Sequence, residues 1–267
     1  MSALRTAQAI VTRDLCRAFR QRGRLFGGLA RSFMWLLLVA AGYGTIARVE
    51  GASSYQAFAF PGIVVMAALF GAMLTAISTV YDREFGMLRL MLASPAGVTT
   101  VLAGRAIAAA AIGFVHGAIV LIFAPLFLAV TFGQIALAGV VLVGAAAASS
   151  VLGLLVAAPL RSVENFAAVV NVVLFPLLFL SGALYPTSNM PVWLHAAVRL
   201  NPVTYTVDLM RGALGQPTEF TVSSSAIALG VAIVLAFTLA AALFDPERRF
   251  TWLGGEARAN RADRVRP

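Results

Sequence analysis

Residues 58–80 read FAFPGIVVMAALFGAMLTAISTV and contain no Asp, Glu, Lys or Arg. A helix needs about 20 apolar residues to cross a hydrocarbon core of about 30 Å, so this stretch is long enough to span a membrane. Five further uncharged stretches surround it, at residues 32–47, 106–132, 135–159, 166–184 and 222–244. The sequence therefore predicts an all-α integral membrane protein with six transmembrane helices.

The composition supports the same class of protein. Hydrophobic residues make up 60% of the chain and charged residues only 12%, which leaves a water-soluble fold of 267 residues without enough polar surface. The longest segment between predicted spans, 185–221, is too short for a second soluble domain. Cys16 is the only cysteine, which excludes an internal disulfide and a cysteine-ligated metal cluster.

The positive charges indicate the orientation of the chain. All 20 basic residues are arginines, and the net charge is +9. With a cytoplasmic N-terminus, seventeen arginines lie inside and three lie outside, namely Arg48, Arg199 and Arg211. This bias predicts a multi-pass protein of the bacterial cytoplasmic (inner) membrane whose N-terminus and basic tail, 245–267, are both cytoplasmic. Because the arginines are dispersed, we expect them to contact anionic membrane lipid and no nucleic acid.

Residues 1–25 have the pattern of an amphipathic helix lying in the inner membrane interface. They lack the apolar centre and cleavage site of a signal peptide. On a helical wheel the apolar and basic side chains separate, with Leu4, Ala7, Val11, Leu15, Ala18 and Phe19 on one side and Arg13, Arg17, Arg20 and Arg24 on the other. A mitochondrial targeting peptide and a plain basic tail remain alternatives, because Arg-rich, acid-poor starts also serve as targeting signals.

The absence of lysine excludes a phosphate-binding P-loop, which requires Gly-x-x-x-x-Gly-Lys-Ser/Thr. His116 and His195 are the only histidines, and neither has an acidic neighbour at metal-ligand spacing. We therefore predict no catalytic residue, no metal and no cofactor bound by this chain. An ion-coupled secondary transporter is disfavoured because the predicted spans contain no Asp or Glu. A non-transporting scaffold or a membrane-embedded enzyme remains a rival class.

The loop after the second span carries the most specific motif, YDREFGMLRLMLASP at residues 81–95. The charges at its start and the i, i+3, i+4 spacing of Leu88, Met91 and Leu92 predict a short surface helix over 82–94 that stops at the Ser-Pro dipeptide. Because this helix joins spans two and three, a partner that held it would move both spans. On spacing alone, an ordinary amphipathic connector explains the pattern equally well.

A second motif lies at residues 181–211, between spans five and six. Prolines at 186, 191 and 202 divide it into short pieces, and the last two pieces are each long enough for two or three helical turns. Apolar side chains such as Trp193 predict that a piece returns to the outer membrane interface. We therefore predict short re-entrant outer helices within 185–214.

Small residues and prolines predict further details of the spans. Small residues recur four apart at 109, 113 and 117 in span three and at 145, 149 and 153 in span four, which favours close helix packing. Pro125 and Pro176 predict bends in spans three and five.

Three motifs occur in a fixed order among the six spans: Asp-Arg-Glu-Phe-Gly-Met-Leu…Ser-Pro, then Ser-Gly…Pro…Met-Pro-x-Trp-Leu, then Asn-Pro-Val-Thr-Tyr…Asp…Arg. In this arrangement nearly the whole chain resembles the permease subunit of ABC-2 type exporters. The resemblance is closest to the drug and lipo-oligosaccharide branch, with its daunorubicin-type and nodulation-factor exporters. It implies a transmembrane domain at 26–244, a second copy of the permease, and a separate ABC ATPase subunit in two copies that binds ATP and Mg.

The resemblance also assigns roles to the motif residues. The loop would be a coupling helix over 82–94, with ATPase-contact residues Asp82, Arg83, Glu84, Phe85, Gly86, Met87, Leu88 and Arg89. The turn 161–165 would be a lesser contact. The outer re-entrant motif would consist of Ser181, Gly182, Pro186, Pro191, Trp193, Asn201, Pro202, Tyr205, Asp208 and Arg211.

The resemblance places the substrate path between the two permease subunits, with spans two and five in its walls. Helical spacing selects the candidate path residues Met66, Phe70, Met73, Asn171, Phe175 and Phe179. An aromatic and methionine surface suits an amphipathic or lipid-like cargo, such as a drug, a glycolipid or a lipo-oligosaccharide. Helix packing or lipid exposure is the alternative explanation for each residue, and polysaccharide export is the alternative function.

Overall fold

The computed structural model describes residues 3–44, 54–92, 97–187 and 190–244, and within these ranges it contains helices and no strand. The predicted basic tail, 245–267, and the Ser-Pro dipeptide at 94–95 lie outside them. The helices are α1 (Ala3–Arg20), α2 (Arg22–Met34), α3 (Ala40–Tyr43), α4 (Tyr55–Glu84), α5 (Met87–Leu92), α6 (Gly97–Leu121), α7 (Ala124–Phe127), α8 (Phe132–Ala157), α9 (Val163–Leu180), α10 (Val192–Leu200), α11 (Pro202–Ala213) and α12 (Val222–Phe244). A π-helical turn, Trp35–Val39, joins α2 to α3.

Six helices are long and apolar enough to cross a membrane, which confirms the predicted all-α membrane fold with six spans. The first span, Leu25–Tyr43, runs through α2, the π-helical turn and α3. The other five spans are α4, α6, α8, α9 and α12. Because the first span begins seven residues before the predicted start at residue 32, it includes Arg31.

The third predicted span, 106–132, is wrong at both ends. Helix α6 runs over Gly97–Leu121. It begins before the predicted span, so that it contains Arg105, and it ends before residue 132. Pro125 does not bend this helix, because it lies in the first turn of the separate helix α7, where its missing N–H leaves no hydrogen bond unmade. Thr131 then begins α8 through a capping box with the Gln three residues later.

Helix α4 forms the centre of the molecule and is buried along most of its length. Small residues on its neighbours α6 and α8 allow close approach. A Cβ on Gly113 would lie 2.7 Å from the carbonyl oxygen of Ala68, and a Cβ on Gly153 would lie 3.0 Å from the Cβ of Ala76. The first span, α9 and α12 bury far fewer of their residues, so their outward faces are left for lipid or for another protein chain.

Helix α1 lies against α6 and turns two of its residues, Ile10 and Asp14, into the protein. Its apolar side chains Leu4 and Phe19 are exposed, as an interfacial helix requires. Arg13 does not point away from the protein as the helical wheel predicts, because its guanidinium pairs with carboxylates of the helix bundle.

Candidate partner-contact site at the end of helix α4

The predicted coupling helix, 82–94, is two elements rather than one. Helix α4 continues to Glu84, and a tight turn precedes α5, which begins at Met87. Gly86 makes this turn with a φ of +76°, a conformation that costs little only for glycine. The first three residues assigned to the coupling helix therefore belong to the end of the second span.

Asp82 lies at the centre of a buried ionic cluster. Its Oδ1 accepts a hydrogen bond from Arg17 at 2.9 Å, and its Oδ2 accepts from Arg13 at 2.7 Å and from Arg105 at 2.5 Å. The side chain thus joins α4 to α1 and α6. Asp82 is only 6% exposed in this chain. Its contact with a partner chain stays a prediction.

The arginines and aspartates of this cluster neutralise most of each other's charge. Asp14 accepts a hydrogen bond from Arg13 at 2.7 Å and lies 3.9 Å from Arg105. Three arginines and two aspartates leave one positive charge in excess. Burial lowers the pKa of Arg13, but the hydrogen bonds and charges of Asp14 and Asp82 outweigh it and raise this pKa above its ordinary value.

The same arginines reach the underside of α5. The guanidinium groups of Arg13 and Arg105 lie 3.4 Å and 3.3 Å from the sulfur of Met91. Leu88 is 2% exposed and belongs to an apolar cluster with Leu102 of α6, Ala158 after the end of α8 and Phe244 of α12. Helix α5 is therefore attached to the bundle by the apolar contacts of Leu88 and by hydrogen bonds from the two arginines to the Met91 sulfur.

Arg83 holds the ends of two other spans. Its Nη1 donates to the carbonyl oxygens of Ala158 at 2.5 Å and Leu160 at 2.8 Å, which follow the last residue of α8. A positive charge is favourable at the carboxyl end of a helix, where the carbonyl groups lack partners. The guanidinium also lies 4.6 Å from the ring centroid of Phe244, at the end of α12.

Glu84 holds the beginning of α9. Its Oε2 accepts a hydrogen bond from the backbone N–H of Val163, the first residue of that helix, at 3.2 Å. A carboxylate is favourable at this end of a helix, because the first N–H groups are unpaired. The side chains of Asp82, Arg83 and Glu84 thus attach α4 to five other helices. All three side chains contact residues of this same chain.

Exposed apolar side chains remain at the junction between α4 and α5. Phe85 is 78% exposed, Met87 47% and Leu90 71%. The Phe85 ring stacks on Tyr81, with centroids 6.3 Å apart. We name Phe85, Met87 and Leu90 the apolar knob. Leu90 was not among the residues selected from the sequence, although its spacing from Met87 places both on one face of a helix.

The remaining assigned contact residues are of three kinds. Gly86 forms the turn, and Leu88 faces the core. The side chain of Arg89 lies outside the described part of the structure.

The candidate path residues fall into three groups. Met66 is 1% exposed and belongs to the core, so it does not line a path in this structure. Phe175 and Phe179 lie on the exposed face of α9, with ring centroids 6.3 Å apart. Phe70, Met73 and Asn171 line one cleft of about 300 Å³, whose walls are α2 and α9 and whose floor is α4. Arg31 lines the same cleft, although it was not among the candidate path residues.

The residues of the Asn-Pro…Asp…Arg motif stabilise the far end of the molecule. Asn201 caps α11 through the N–H of Val203 at 3.0 Å and donates to the Leu177 carbonyl oxygen at 2.7 Å. Pro202 occupies the first turn of α11. The Tyr205 hydroxyl donates to a carbonyl oxygen of α10 at 2.6 Å. These bonds fix α11 against α9 and α10.

Asp208 and Arg211 complete this arrangement. Asp208 accepts from the N–H of Glu219 at 2.7 Å and from the Ser225 hydroxyl at 3.0 Å. Arg211 donates to the carbonyl oxygen of Gly182 at 2.5 Å and lies 4.2 Å from the ring centroid of Phe58. Burial lowers the pKa of Arg211 from its ordinary value, and two nearby carboxylates oppose this shift.

The other residues of this motif lie in the preceding turn. Gly182 has a φ of +73°, and Ser181 donates to the carbonyl oxygen of Leu178. Pro186 lies in that turn, and Pro191 precedes α10. Trp193 is 75% exposed on α10, as a side chain at a membrane interface would be.

The residues that the structure describes include no group of three His, Cys, Asp or Glu able to hold a metal ion. His116 is buried, with its ring nitrogens 2.9 Å and 3.2 Å from the carbonyl oxygens of Ile112 and Leu25. It therefore packs the first span against α6, and nothing at this position indicates a proton pathway.

Comparison with known proteins gives a family match over residues 5–214, to the family described as ABC-2 type transporter. A nodulation protein J of Rhizobium leguminosarum bv. trifolii is 31% identical over 82% of this chain and 84% of its own length. A Cyanophora paradoxa protein named as transport permease ycf38 is 30% identical over 70% of this chain and 66% of its own length. A protein of Escherichia coli K12 named as multidrug ABC transporter permease YbhR is 28% identical over 59% of this chain and 43% of its own length.

Proposed function

This chain belongs to the ABC-2 type transporter family and is the membrane subunit of an ABC transporter, and from this we propose that it exports an amphipathic or lipid-like molecule. The family implies an ATPase partner, and that partner would bind ATP and Mg, since this chain has no lysine for a P-loop. One relative is named as a multidrug permease, and this supports the drug-like form of such a cargo.

The apolar knob is the observation that supports export driven by a separate ATPase. Large exposed apolar side chains cluster at few places other than lipid-facing spans, and the knob lies beyond the end of α4, where the chain turns between two spans. An exposed aromatic residue flanked by aliphatic ones is typical of the centre of a protein interface. We infer that the ATPase subunit binds Phe85, Met87 and Leu90.

The knob is attached to residues that reach most of the bundle. A force on α5 would pass through Gly86 to the end of α4, and from Asp82, Arg83 and Glu84 to α1, α6, α8, α9 and α12. ATP-dependent closure of the partner dimer would thereby move the ends of several spans together. This would open and close a path between two permease copies.

The second permease copy would bind at the first span and α9. These are among the spans with the most exposed side chains, and the cleft that contains Phe70 and Asn171 opens between them. We place the protein in the bacterial inner membrane with the knob on the cytoplasmic side, because the arginine bias predicts this orientation.

The test combines Phe85→Ala with Leu90→Ala, which truncates the knob without touching the ionic cluster. Loss of two central contacts should weaken ATPase binding roughly 100-fold or more. We expect the variant to lose co-purification with the ATPase and ATP-driven export of a fluorescent amphiphile from vesicles. Leu126→Ala is the matched control, because Leu126 is 74% exposed on α7, at the other end of α6. Parental export by the double variant would refute the proposal.

A further inference from the structure

Arg31 lies inside a membrane-spanning helix. It is six residues after Leu25, the start of the first span, which corresponds to about 9 Å of helix at 1.5 Å per residue. An arginine at such a depth is costly in lipid, and where it occurs it usually pairs with another group or lines a functional site. The position of this side chain therefore calls for a partner.

The described part of the chain supplies an aromatic ring but no carboxylate or carbonyl oxygen. The Arg31 side chain is exposed, and it makes no hydrogen bond or ion pair with any described residue. Its guanidinium lies 4.8 Å from the centroid of the Phe70 ring, which positions the charge over the floor of the cleft. Arg13, Arg17 and Arg105, by contrast, all donate to carboxylates.

A second polar group lies in the same cleft. Asn171 is exposed on α9, and its amide has no hydrogen-bond partner among the described residues. The other lining side chains are apolar, including Met73, Phe166 and Leu174. One guanidinium and one amide, each without a described hydrogen-bond partner, thus face a space that is otherwise apolar. This combination fixes the orientation of a ligand with one polar end.

The size of the cleft indicates which part of a ligand it holds. A volume of about 300 Å³ is at the lower end of the range of about 300–1,000 Å³ found for small-molecule sites. It accommodates a headgroup and the first methylene groups of a chain, but not a complete amphiphile. The remaining chain can lie along the exposed apolar face of α9, at Val172, Phe175 and Phe179.

The positive charge of Arg31 indicates that the headgroup is acidic. Its planar guanidinium matches the paired oxygens of a carboxylate, phosphate or sulfate, and a neutral headgroup would leave the cation unpaired. We propose that the cleft between α2, α4 and α9 binds the acidic headgroup of an amphiphile. This inference rests on the proposed function, because it names the chemical class of the exported molecule as an acidic amphiphile.

The test measures binding to the full-length permease in phosphatidylcholine nanodiscs. The probes are the fluorescent fatty acid parinaric acid and its methyl ester, which share the same chain but differ at the head, where the acid ionises and the ester stays neutral. A charge-assisted pair in the cleft should make the parental protein bind the acid roughly tenfold more tightly than the ester. Arg31→Gln should abolish this preference and leave ester binding unchanged.

Two further variants separate the site from general charge effects. Arg5→Gln removes the same charge from an exposed position on α1, far from the cleft in sequence, and should keep the tenfold preference. Asn171→Ala should weaken acid binding by a few fold. The inference is refuted if Arg31→Gln retains the preference, or if Arg5→Gln loses it to the same extent.

ATP-driven transport by the complex with the ATPase then distinguishes this inference from the proposed function. Export of acid and ester at equal rates, unaffected by Arg31→Gln, would overturn the headgroup site while the exporter stands. Binding of the acid that depends on Arg31, without ATP-driven movement of either probe, would overturn the exporter while the binding site stands.

Discussion

Replacement of Asp82 by Asn keeps the size of the side chain but removes the carboxylate that holds three arginines. We expect the protein to lose about 3–5 kcal/mol of folding free energy, the cost of breaking a buried ion pair from one side. Most of this loss comes from Arg105, which is 1% exposed. In the variant it would keep the Thr79 hydroxyl at 3.1 Å, the Met91 sulfur at 3.3 Å and a carboxylate oxygen of Asp14 at 3.9 Å.

The other two pairs contribute little to this magnitude. The side chains of Arg13 and Arg17 are 37% and 35% exposed, so water can solvate each guanidinium after its partner is removed. Partly exposed pairs of this kind are worth about 0–1 kcal/mol each. The loss of folding free energy comes mainly from Arg105 in this account. The double variant Asp82→Asn, Arg105→Gln should then lose less folding free energy than the sum of the losses of the two single variants, by about 0.5–3 kcal/mol.

The assay is denaturant unfolding in mixed micelles, on the parental protein, the two single variants and the double variant. Glu84→Gln serves as the control, because Glu84 is exposed and accepts a single backbone hydrogen bond. A loss below about 1 kcal/mol for Asp82→Asn would show that the cluster does not stabilise the fold. Additive single variants would refute the assignment of the effect to Arg105.

Two further predictions concern the turn after α9 and the orientation of the spans. Gly182→Ala should destabilise the fold by about 1–3 kcal/mol, because φ there is +73° and a Cβ would lie 2.9 Å from a neighbouring methyl group. Gly230→Ala, on α12 where an added Cβ would meet no atom within 4 Å, should be neutral or slightly stabilising in the same thermal unfolding assay. In a Cys16→Ser background, Ser223→Cys should react with an impermeant thiol reagent added to intact cells, and Phe85→Cys should not. Labelling at the second position from outside would reverse the proposed orientation.

The number of spans was predictable because a transmembrane helix needs only length and low polarity, and residues 58–80 show both. The ends of the spans were not. Arg31 and Arg105 both stop an uncharged stretch, yet both lie within membrane-spanning helices. Arg105 is tolerated because Asp82, 23 residues earlier, neutralises it, and a local pattern does not contain that information.

The roles of the coupling-loop residues show the same limit. Asp82, Arg83 and Glu84 read as surface charges because they are consecutive and polar. Their hydrogen-bond partners are 23 to 79 residues away in sequence, so only the folded chain brings them together. The apolar part of the motif was more informative: Phe85 and Met87 are exposed at the junction, where the family resemblance places contact with the ATPase.

The three consecutive charged residues at the end of α4 also determine which movements that helix allows. Successive side chains on an α-helix point about 100° apart, so the three anchors lie on different sides of one axis. Twisting α4 about this axis would stretch all three anchors at once. The end of α4 is thus held from three directions, and these contacts together oppose rotation of the helix about its own axis.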